Sequence, residues 1–554
     1  DIRLLYVAHT VGYRSCASID QKKVIMKWRS DRITNATIIE ILFVLVLAVC
    51  FIDTSLNHPP RISVQAFRQP SNSNTHHPYR HHPISSHLHA ECATLPPSPP
   101  PLIISPGSKP PISKKCGALS MDIEELSNQL NGKGRAQAVW DCYRLGIDPL
   151  LYFTKSPDLE GYSLAPFMDS LRSPPQNHEN GLSSVDDLET VYKRMQKRVP
   201  NGLGLNALGL VADLAKRTSH EAGVLDETRE KCNDLRSVTV EDTIATLSHI
   251  NVSADGTTKL LLNMQRDNLQ VETVIIPWLE RGRSTLCISS QVGCAQGCTF
   301  CATGKMGKLR NLSSDEILVQ VYYANKICRL TGDDQKLPPV NNIVFMGMGE
   351  PADNIDAVVR TANILTDQDL FGLGQSKVTI STVAPSPEVF MKLASANAAL
   401  AWSVHAVNDK LRKKLVPTTR YTMEELRMGF VNALNTRNSK SLRMTMLEIA
   451  LIHDVNDQLS HADDLADFAL NIMHDVKGSI KLVVNLIPFN DIGHATYRKP
   501  SMERVLAFQK RLVDRGVYTY IRKTRGDDES AACGQLATTM KKQRKDQNHG
   551  DLAP

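Results

Sequence analysis

The stretch Leu286-Cys-Ile-Ser-Ser-Gln-Val-Gly-Cys294-Ala-Gln-Gly-Cys298-Thr-Phe-Cys301 joins a short β-rich run to a loop that carries three cysteines. The cysteines follow a C-x3-C-x2-C spacing, with an aromatic residue before the last one. Three thiolates on one loop can hold three irons of a 4Fe–4S cluster and leave the fourth iron open to a ligand. Two other interpretations remain: a structural zinc site, for which no fourth ligand lies at comparable spacing, and three ordinary thiols in a reduced protein.

The cysteine loop lies near the start of a region in which β-rich runs alternate with helical segments. One helical segment, residues 314–329, follows Ser313-x-x-Glu316, the pattern of an N-terminal capping box. This alternation predicts an α/β fold with a parallel sheet, open or curled into a partial (βα) barrel, whose site lies at the carboxyl ends of the strands. The β-rich runs are residues 285–289, 342–346, 377–381, 399–404, 443–449, 481–486 and 517–522.

Upstream of this body, apolar residues at helical spacing begin after Met121 and predict a helical module, interrupted by loops at 173–180 and 201–204. Two β-rich runs, 260–264 and 271–276, predict a β-hairpin that leads into the main body. The predicted segments are residues 1–120, a disordered leader; 121–250, a helical accessory module; 251–280, the hairpin; 281–526, the alternating body; and 527–554, a C-terminal loop and basic tail.

The composition excludes two classes of protein. A chain of 554 residues with 42% hydrophobic content can bury at least one full core, which excludes disorder along its whole length. Twelve unevenly spaced cysteines are too few for a secreted disulfide scaffold and favour a reduced compartment. The net charge of +6, from 64 basic and 58 acidic residues, neither requires nor excludes a nucleic-acid partner.

The first 120 residues have the composition of a leader. Their apolar run, residues 41–52, is shorter than the roughly 20 residues that cross a bilayer. Residues 54–120 hold 13 of the chain's 29 prolines and a single acidic residue, Glu91, so they cannot build a core. The segment is Ser-rich and acid-poor, which is typical of a transit peptide to a plastid or mitochondrion; a plain disordered tail on a cytoplasmic protein is the alternative. Because the chain starts at Asp1 rather than Met, a translated upstream segment is a third interpretation.

The cysteine loop resembles the signature of radical S-adenosylmethionine (SAM) enzymes, in which the amino and carboxylate groups of SAM chelate the open iron. Further segments narrow the resemblance to the RlmN-type adenine-C2 RNA methyltransferases (the RlmN/Cfr family), and the leader suggests an organelle-targeted, plant-like member. These segments occur in the family's order over about half of the chain. They are Val271-Glu-Thr-Val274, Phe345-Met-Gly-Met-Gly-Glu-Pro351, Ser403-Val-His-Ala406, Asn485-Leu-Ile-Pro-Phe-Asn490, Arg525-Gly-Asp-Asp528 and Ala532-Cys-Gly-Gln-Leu536.

The resemblance implies a radical mechanism and a role for three residues. Carbon 2 of adenine lies between two ring nitrogens and is too electron-poor to attack the methyl group of SAM directly. In the family, a cysteine that matches Cys533 takes a methyl group from one SAM. A second SAM supplies a 5′-deoxyadenosyl radical, which removes a hydrogen from that methyl group, and the methylene radical adds to the base. Glu272 matches the general base and Cys287 the resolving thiol, so a transient Cys287–Cys533 disulfide is expected.

Each of these assignments has a simpler alternative. Cys533 alone would be read as a spectator thiol, Cys287 as a small core residue, and Glu272 as a solvent-facing carboxylate on a strand. Since Cys287 and Cys533 are 246 residues apart, their exchange requires the C-terminal loop to fold over the mouth of the barrel. The resemblance also implies cluster ligands at Cys294, Cys298 and Cys301, and SAM contacts at Gly349, Glu350, Ser381, Ser403, Val404, His405 and Asn490.

Basic residues cluster where RNA would approach, although each run alone is more typical of a solvated face. They are Arg281 and Arg283, Lys305, Lys308 and Arg310, and residues 410–414. A looped-out adenine is the expected target, because carbon 2 is inaccessible within a stacked helix. The helical module resembles the family's accessory RNA-binding domain more loosely.

We therefore expect an enzyme that methylates carbon 2 of an adenosine in large-subunit rRNA, and also in tRNA. The expected cofactors are a 4Fe–4S cluster and two SAM molecules per turnover. The expected electron donor is a flavodoxin or ferredoxin system, and we expect a monomer without stable membrane association. Two alternatives remain: methylation of carbon 8 by the same chemistry, and a zinc-stabilised RNA-binding protein without catalysis.

Overall fold

The computed structural model describes residues 117–154, 188–220, 238–331 and 337–538, with the backbone alone at 188–192 and 217–220. The predicted leader up to residue 116, the loop at 173–180 and the basic tail from 539 lie outside the described residues. The first described residues belong to the core, since Ala118 and Leu119 are buried. No helix in the described ranges is long and apolar enough to span a bilayer.

Twelve strands are present in the described part of the chain, and ten of them form one sheet in the order β1-β2-β3-β4-β7-β8-β9-β10-β11-β12. Strands β4 and β7 to β12 pair in parallel, whereas β1 to β4 pair as an antiparallel meander. The strands are β1 Ala245–Val252, β2 Thr258–Met264, β3 Gln270–Trp278, β4 Arg283–Cys287, β5 Gln291–Cys294, β6 Gly307–Asn311, β7 Val340–Phe345, β8 Val378–Thr382, β9 Ala399–Ser403, β10 Met444–Leu451, β11 Lys481–Pro488 and β12 Thr519–Ile521.

Helices alternate with the parallel strands, as the sequence predicts for a partial (βα) barrel. The capping box at Ser313 is present, because its hydroxyl accepts from Glu316 N while the Glu316 carboxylate accepts from Ser313 N. The described α-helices are Ile123–Leu130, Lys133–Arg144, Pro149–Phe153, Leu188–Arg198, Leu205–His220, Val240–Thr243, Ala302–Met306, Ser314–Leu330, Ile355–Thr366, Glu388–Leu393, Asp409–Leu415, Met423–Asn435, Leu459–Asp475 and Met502–Asp514.

Two parts of the sheet differ from the sequence prediction. Helical structure was expected up to about residue 250, but β1 occupies Ala245–Val252 and pairs with β2. Its alternating burial shows a strand pattern that begins directly after the short helix Val240–Thr243. The hairpin of β5 and β6 was also not predicted, because it frames the cysteine loop and its short strands show little alternation.

Parallel strands end at one edge of the sheet, so the segments that follow them meet there. Aromatic residues pack between the sheet and the outer helices, where Trp402 of β9 contacts Phe390 and Phe430. The sequence-predicted site residues lie at the carboxyl-terminal edge of the strands, and most of them face the interior of the barrel.

Candidate active site

The three cysteines of the loop lie between the β5–β6 hairpin and a short helix. Cys294 ends β5, and Cys301 directly precedes the helix Ala302–Met306. Gly293 has a positive φ of 75°, and a Cβ atom there would lie 1.9 Å from Gly307 O, so only glycine allows the hairpin to close this tightly. The hairpin thereby fixes where the loop begins and ends.

Burial disfavours the charged thiolate form of two of these cysteines, Cys294 and Cys298. It raises the pKa of Cys294 to about 12 and raises the pKa of Cys298 well above its usual value, against the opposing charge of Arg412. A metal centre would remove this penalty, since cationic iron binds the thiolate form. No three His, Cys, Asp or Glu side chains in the described ranges gather closely enough to hold a single ion. A 4Fe–4S cluster does not need its three thiolates to meet at one point, because each thiolate binds a different iron.

Arg412 corrects the predicted basic patch at residues 410–414. It is buried, and its guanidinium donates to the carbonyl groups of Val383, Ser403 and Val404, which ties together the ends of β8 and β9. Because its side chain is buried and both terminal nitrogens donate inside the protein, Arg412 cannot face RNA. The flanking Lys410, Lys413 and Lys414 are exposed.

Arg310 is also unavailable to a phosphate backbone. Its guanidinium donates to both carboxylate oxygens of Asp267 and to both of Glu316. Lys305 and Lys308, in the same predicted patch, remain exposed.

The glycine-rich segment after β7 packs against the β4–β5 connection. A Cβ atom at Gly349, where φ is 104°, would lie 2.6 Å from the Gln291 side chain, and one at Gly347 would lie 2.6 Å from Ser289 Oγ. These glycines therefore permit a close approach within the protein, and the SAM contact expected at Gly349 stays a prediction.

Glu350 is buried and fully engaged. One carboxylate oxygen accepts from Ala352 N at 2.9 Å and Thr382 Oγ1 at 2.5 Å, and the other accepts from Val383 N at 3.0 Å. Desolvation raises the pKa of Glu350 to about 7 despite these hydrogen bonds. The side chain joins the ends of β7 and β8, so it shapes the predicted SAM pocket.

The ends of β8, β9 and β10 bring Ser381, Ser403 and Glu448 together. Ser381 Oγ lies 2.8 Å from Glu448 Oε2 and 3.1 Å from Ser403 Oγ. Glu448 is 3% exposed, and its backbone oxygen accepts from Val404 N and His405 N. Sequence reasoning missed Glu448, although a lone acid within the apolar run of β10 is a usable signal.

His405 follows β9 in a left-handed conformation, with φ of 57°. Its Nδ1 accepts from Ala450 N at 3.0 Å, and its ring lies 4.5 Å from that of Phe300 in the cysteine loop. Desolvation, and then the nearby Arg412, lower the pKa of His405 well below its usual value. A neutral imidazole with Nδ1 occupied leaves Nε2–H as its donor.

The C-terminal loop folds over this edge of the barrel. Asn490, directly after β11, donates from Nδ2 to Cys533 O at 3.0 Å. Gly534 O accepts from Ala302 N at 2.7 Å, and Leu536 O accepts from Thr303 Oγ1 at 2.5 Å. The loop is therefore attached to both the strand ends and the helix that follows Cys301.

The structure brings Cys287 and Cys533 together, and both are free thiols. Burial, and then the proximity of Cys533, raise the pKa of Cys287 to about 12. Cys533 reaches solvent. Surrounding protein atoms nevertheless desolvate its thiol and raise its pKa, while the positive charge of Arg522 opposes that rise. Arg522, which sequence reasoning missed, thus lies close to both thiols.

Glu272 faces the same side of the sheet as Cys287, because Val274 lies directly opposite Cys287 in the antiparallel pair. It is 5% exposed, which rules out the solvent-facing alternative. Its Oε2 accepts from Ala537 N at 2.7 Å, and its Oε1 lies 3.3 Å from Lys259 Nζ. Desolvation raises the pKa of Glu272, with Lys259 opposing it.

Known proteins resemble this chain in sequence and in fold. Residues 288–468 match the model of the Radical SAM superfamily. The Dual-specificity RNA methyltransferase RlmN of Francisella tularensis subsp. mediasiatica is 39% identical over 347 residues, covering 60% of this chain and 89% of that protein. The chain belongs to the RlmN family of radical SAM RNA methyltransferases.

Another RlmN-family relative, from Alcanivorax borkumensis, is 41% identical over 298 residues, covering 53% of this chain and 74% of that protein. Among solved structures, a radical SAM methyltransferase from Sphaerobacter thermophilus superimposes with a TM-score of 0.53 and 29% identity, covering 76% of this chain and 99% of that one. Family membership implies a 4Fe–4S cluster and SAM. The donor set fits the cluster, since three thiols lie on one loop and two of them are buried.

Proposed function

We propose that this enzyme methylates carbon 2 of an adenosine in RNA, with large-subunit rRNA as the main substrate and tRNA as a second one. The observation that carries the proposal is the docking of the C-terminal loop. In the docked loop Cys533 lies close to Cys287, and the next residue, Gly534, accepts a hydrogen bond from Ala302 N at the start of the helix after Cys301. The relatives named dual-specificity RNA methyltransferases support an RNA substrate of two kinds.

Cys294, Cys298 and Cys301 would hold the cluster, and SAM would lie at the strand ends beside Ser381, Ser403 and Asn490. A cluster held there would supply the electron for reductive cleavage of SAM. The protein shields this chemistry from water, because the C-terminal loop covers the strand ends and Phe300 packs on His405.

Cys533 is the proposed methyl carrier. Of the two thiols it is the one that reaches solvent, so it can meet both SAM and an extruded base. Desolvation raises the pKa of Cys533, and the guanidinium of Arg522 opposes that rise in favour of the thiolate, which is the form that attacks a methyl group. Two SAM molecules are used per turnover in this scheme, one as methyl donor and one as radical source.

Glu272 and Cys287 would release the product. Addition of the methylene radical leaves one unpaired electron on the adduct, which would return to the oxidised cluster, and a carboxylate with a raised pKa, such as Glu272, can take the proton from carbon 2. Cys287 then attacks the sulfur of Cys533; an S–S bond forms, the bond between sulfur and the new methyl carbon breaks, and that carbon takes a proton. The resulting Cys287–Cys533 disulfide is transient and must be reduced before the next cycle.

Nucleoside mass spectrometry tests the proposal. The anaerobically reconstituted enzyme is incubated with SAM, dithionite and unmodified rRNA or tRNA, and the RNA is digested to nucleosides. We expect 2-methyladenosine from both RNAs, and none without dithionite. Formation of 8-methyladenosine alone would contradict the assigned carbon, and a colourless protein that binds one zinc would contradict the enzyme assignment altogether.

A further inference from the structure

We propose that Asp528 is a positioning residue, which fixes the place of the Cys533 thiol by anchoring the root of the C-terminal loop, residues 525–530, to the turn between β1 and β2. The inference rests on the proposed function in one respect, namely that Cys533 carries the methyl group. It goes beyond that function by giving Asp528 and the β1–β2 hairpin a part in the reaction.

Asp528 binds the β1–β2 turn with both oxygens of its carboxylate. One oxygen accepts from Ser253 Oγ, and the other accepts from Ala254 N at 2.9 Å. Ser253 is 4% exposed, so its hydroxyl is withdrawn from bulk water and needs a partner inside the protein. The two acceptor oxygens of a carboxylate can take both of these hydrogen bonds at once.

Further hydrogen bonds attach the loop root to the same hairpin. Gly526 N donates to Asp255 Oδ2 at 3.3 Å, and Asn251 Nδ2 of β1 donates to Glu529 Oε2 at 2.9 Å. The other oxygen of Asp255 accepts from Thr257 N at 2.9 Å, so this side chain also shapes the turn. The loop root is therefore bonded to the hairpin through residues on both sides of Asp528.

The loop root also packs tightly against the turn. Gly526 has a positive φ of 70°, and a Cβ atom there would lie 2.8 Å from both Thr257 Cγ2 and Ala531 Cβ, so only glycine allows this approach. Gly526 O accepts from Ala531 N at 2.8 Å, which closes the segment 526–531 on itself. The anchored segment thus ends two residues before Cys533.

The same segment connects the anchor to the thiol pair. Ala531 and Leu536 of the loop pack with Cys287 in one apolar cluster, and Cys287 is buried there. Because the docked loop covers Cys287, access to this thiol reports how much of the protein has its loop undocked.

The position of Cys533 decides whether a cleaved SAM leads to product. Cleavage of SAM needs the cluster and SAM alone, whereas methylation also needs the Cys533 thiol at the reacting atoms. Small displacements of a reacting group lower rates strongly. Loss of the Asp528 anchor should therefore lower methylation more than it lowers SAM cleavage.

The first test measures docking without turnover. Holoenzyme that carries Cys533→Ala, which removes the exposed thiol, is treated with iodoacetamide under anaerobic conditions, and peptide mass spectrometry follows modification of Cys287. We expect the added change Asp528→Ala to raise the rate of this modification about 10-fold, because the docked state loses two hydrogen bonds. Ser253→Ala should also raise the rate, and the two changes together should add little to Asp528→Ala, since both remove one contact.

Two further variants serve as controls for the labelling. Asp528→Asn should stay within about threefold of the parent protein, because an amide can accept from Ala254 N and donate to Ser253 Oγ. Asp514→Ala removes an exposed carboxylate that pairs with Lys510, and it should leave the rate unchanged. An unchanged rate in Asp528→Ala would overturn the inference. An equal rise in Asp514→Ala would also overturn it, because that result shows a general loosening of the barrel.

The second test separates positioning from a purely structural role. Enzymes with Cys533 intact are reduced with dithionite in the presence of SAM and RNA, and 5′-deoxyadenosine and methylated adenosine are quantified. We expect Asp528→Ala to release about 3- to 10-fold more 5′-deoxyadenosine per methylated adenosine than the wild type, with unchanged iron content. A proportional fall of both products would overturn the inference, because a purely structural role predicts that result.

The two tests distinguish this inference from the proposed function. If the labelling of Cys287 responds to Asp528→Ala but the wild type forms no methylated adenosine, the proposed function fails while the anchor at Asp528 stands. If the wild type methylates RNA and Asp528→Ala matches it in both tests, the inference alone fails.

Discussion

The cluster loop and the thiol pair lie side by side at one edge of the barrel, but they are assembled in different ways. The cluster loop brings three cysteines together within eight residues, framed by the β5–β6 hairpin. The thiol pair joins Cys287 on β4 to Cys533 across 246 residues. The first is a local structure, whereas the second exists only when the whole barrel has folded and the C-terminal loop has docked.

This difference predicts separable failures. Loss of a cluster ligand weakens iron binding at a local site, and the rest of the fold does not replace the missing thiolate. Loss of the thiol pair or its loop leaves the cluster loop with its own hairpin and glycines intact. Variants in the two regions should therefore differ in iron content much more than in activity.

The largest expected effects are those of Cys298→Ala and Cys533→Ala. Both should reduce methylation to background, at least 10³-fold, because each removes a group that the chemistry cannot replace. Cys298→Ala should also lose most of its iron, since one iron of the cube would have no thiolate. Cys533→Ala should keep the iron and still cleave SAM when reduced. Iron content, visible absorption and 5′-deoxyadenosine release check these outcomes.

Cys328→Ala is the matched control, because Cys328 is a buried thiol on the helix Ser314–Leu330. It should retain both iron and methylation. An iron-free Cys533→Ala protein would mean that this residue belongs to the cluster site, and the comparison between the two regions would then fail.

The next effect is a trapped intermediate in Cys287→Ala. Without the resolving thiol, the bond between Cys533 and the base should persist, because Cys301, the other thiol close to Cys533, would be occupied as a cluster ligand. Multiple turnover should stop, and a species that migrates slowly in denaturing gels should accumulate and disappear after RNase treatment. Absence of this species, with normal release of methylated RNA, would show that Cys287 has a structural role only.

The cysteine spacing of the cluster loop could be predicted from sequence, but the β5–β6 hairpin that frames the loop could not. The C-x3-C-x2-C pattern, the strand before it and the capping box at Ser313 needed no tertiary contact. The long-range region required the family resemblance, since nothing in the residues around Cys533 specifies a partner 246 positions away.

The sequence did not indicate which charged side chains are buried. Arg412 was assigned to an RNA-facing patch, but it lies inside and binds carbonyl groups at the ends of β8 and β9. A cluster of basic residues does not indicate which side chain of a helix faces the core. Glu448 on β10 and Arg522 directly after β12 were missed for the same reason, because the interior face of a strand becomes known only from the barrel.

A smaller effect is expected at Glu272, which connects the two regions through Ala537 and β3. Glu272→Gln should lower turnover by about 10²- to 10⁴-fold, as expected for loss of a general base, with iron content unchanged. Adduct formation should persist, since the base acts after addition. Single-turnover assays and gel analysis of the covalent species check this prediction.

The pH dependence gives Glu272 an independent test. Its pKa is raised, so activity that needs the carboxylate should rise with pH and reach its plateau above the usual range for glutamate titration. Lys259 opposes that rise, so in Lys259→Met the pKa should increase further and the acidic limb should move to higher pH. A shift to lower pH would contradict the assigned role of Lys259, and the exposed Glu280→Gln serves as the unchanged control.

The smallest expected effect is at Gln535, which holds the loop around Cys533 without taking part in the chemistry. Its Oε1 accepts from Ala532 N at 3.0 Å, and its Nε2 donates to Asp491 O at 2.9 Å and Asp527 Oδ1 at 2.6 Å. Exposed hydrogen bonds of this kind contribute about 0.5 to 1.5 kcal/mol each, so Gln535→Ala should lower kcat by about 3- to 10-fold through a less populated docked loop. The KM for SAM and the iron content should stay the same. Gln509→Ala removes a comparable bond to Thr519 O of β12 and should leave kcat unchanged, whereas equal losses in both variants would show a general destabilisation of the barrel instead of a local one of the loop.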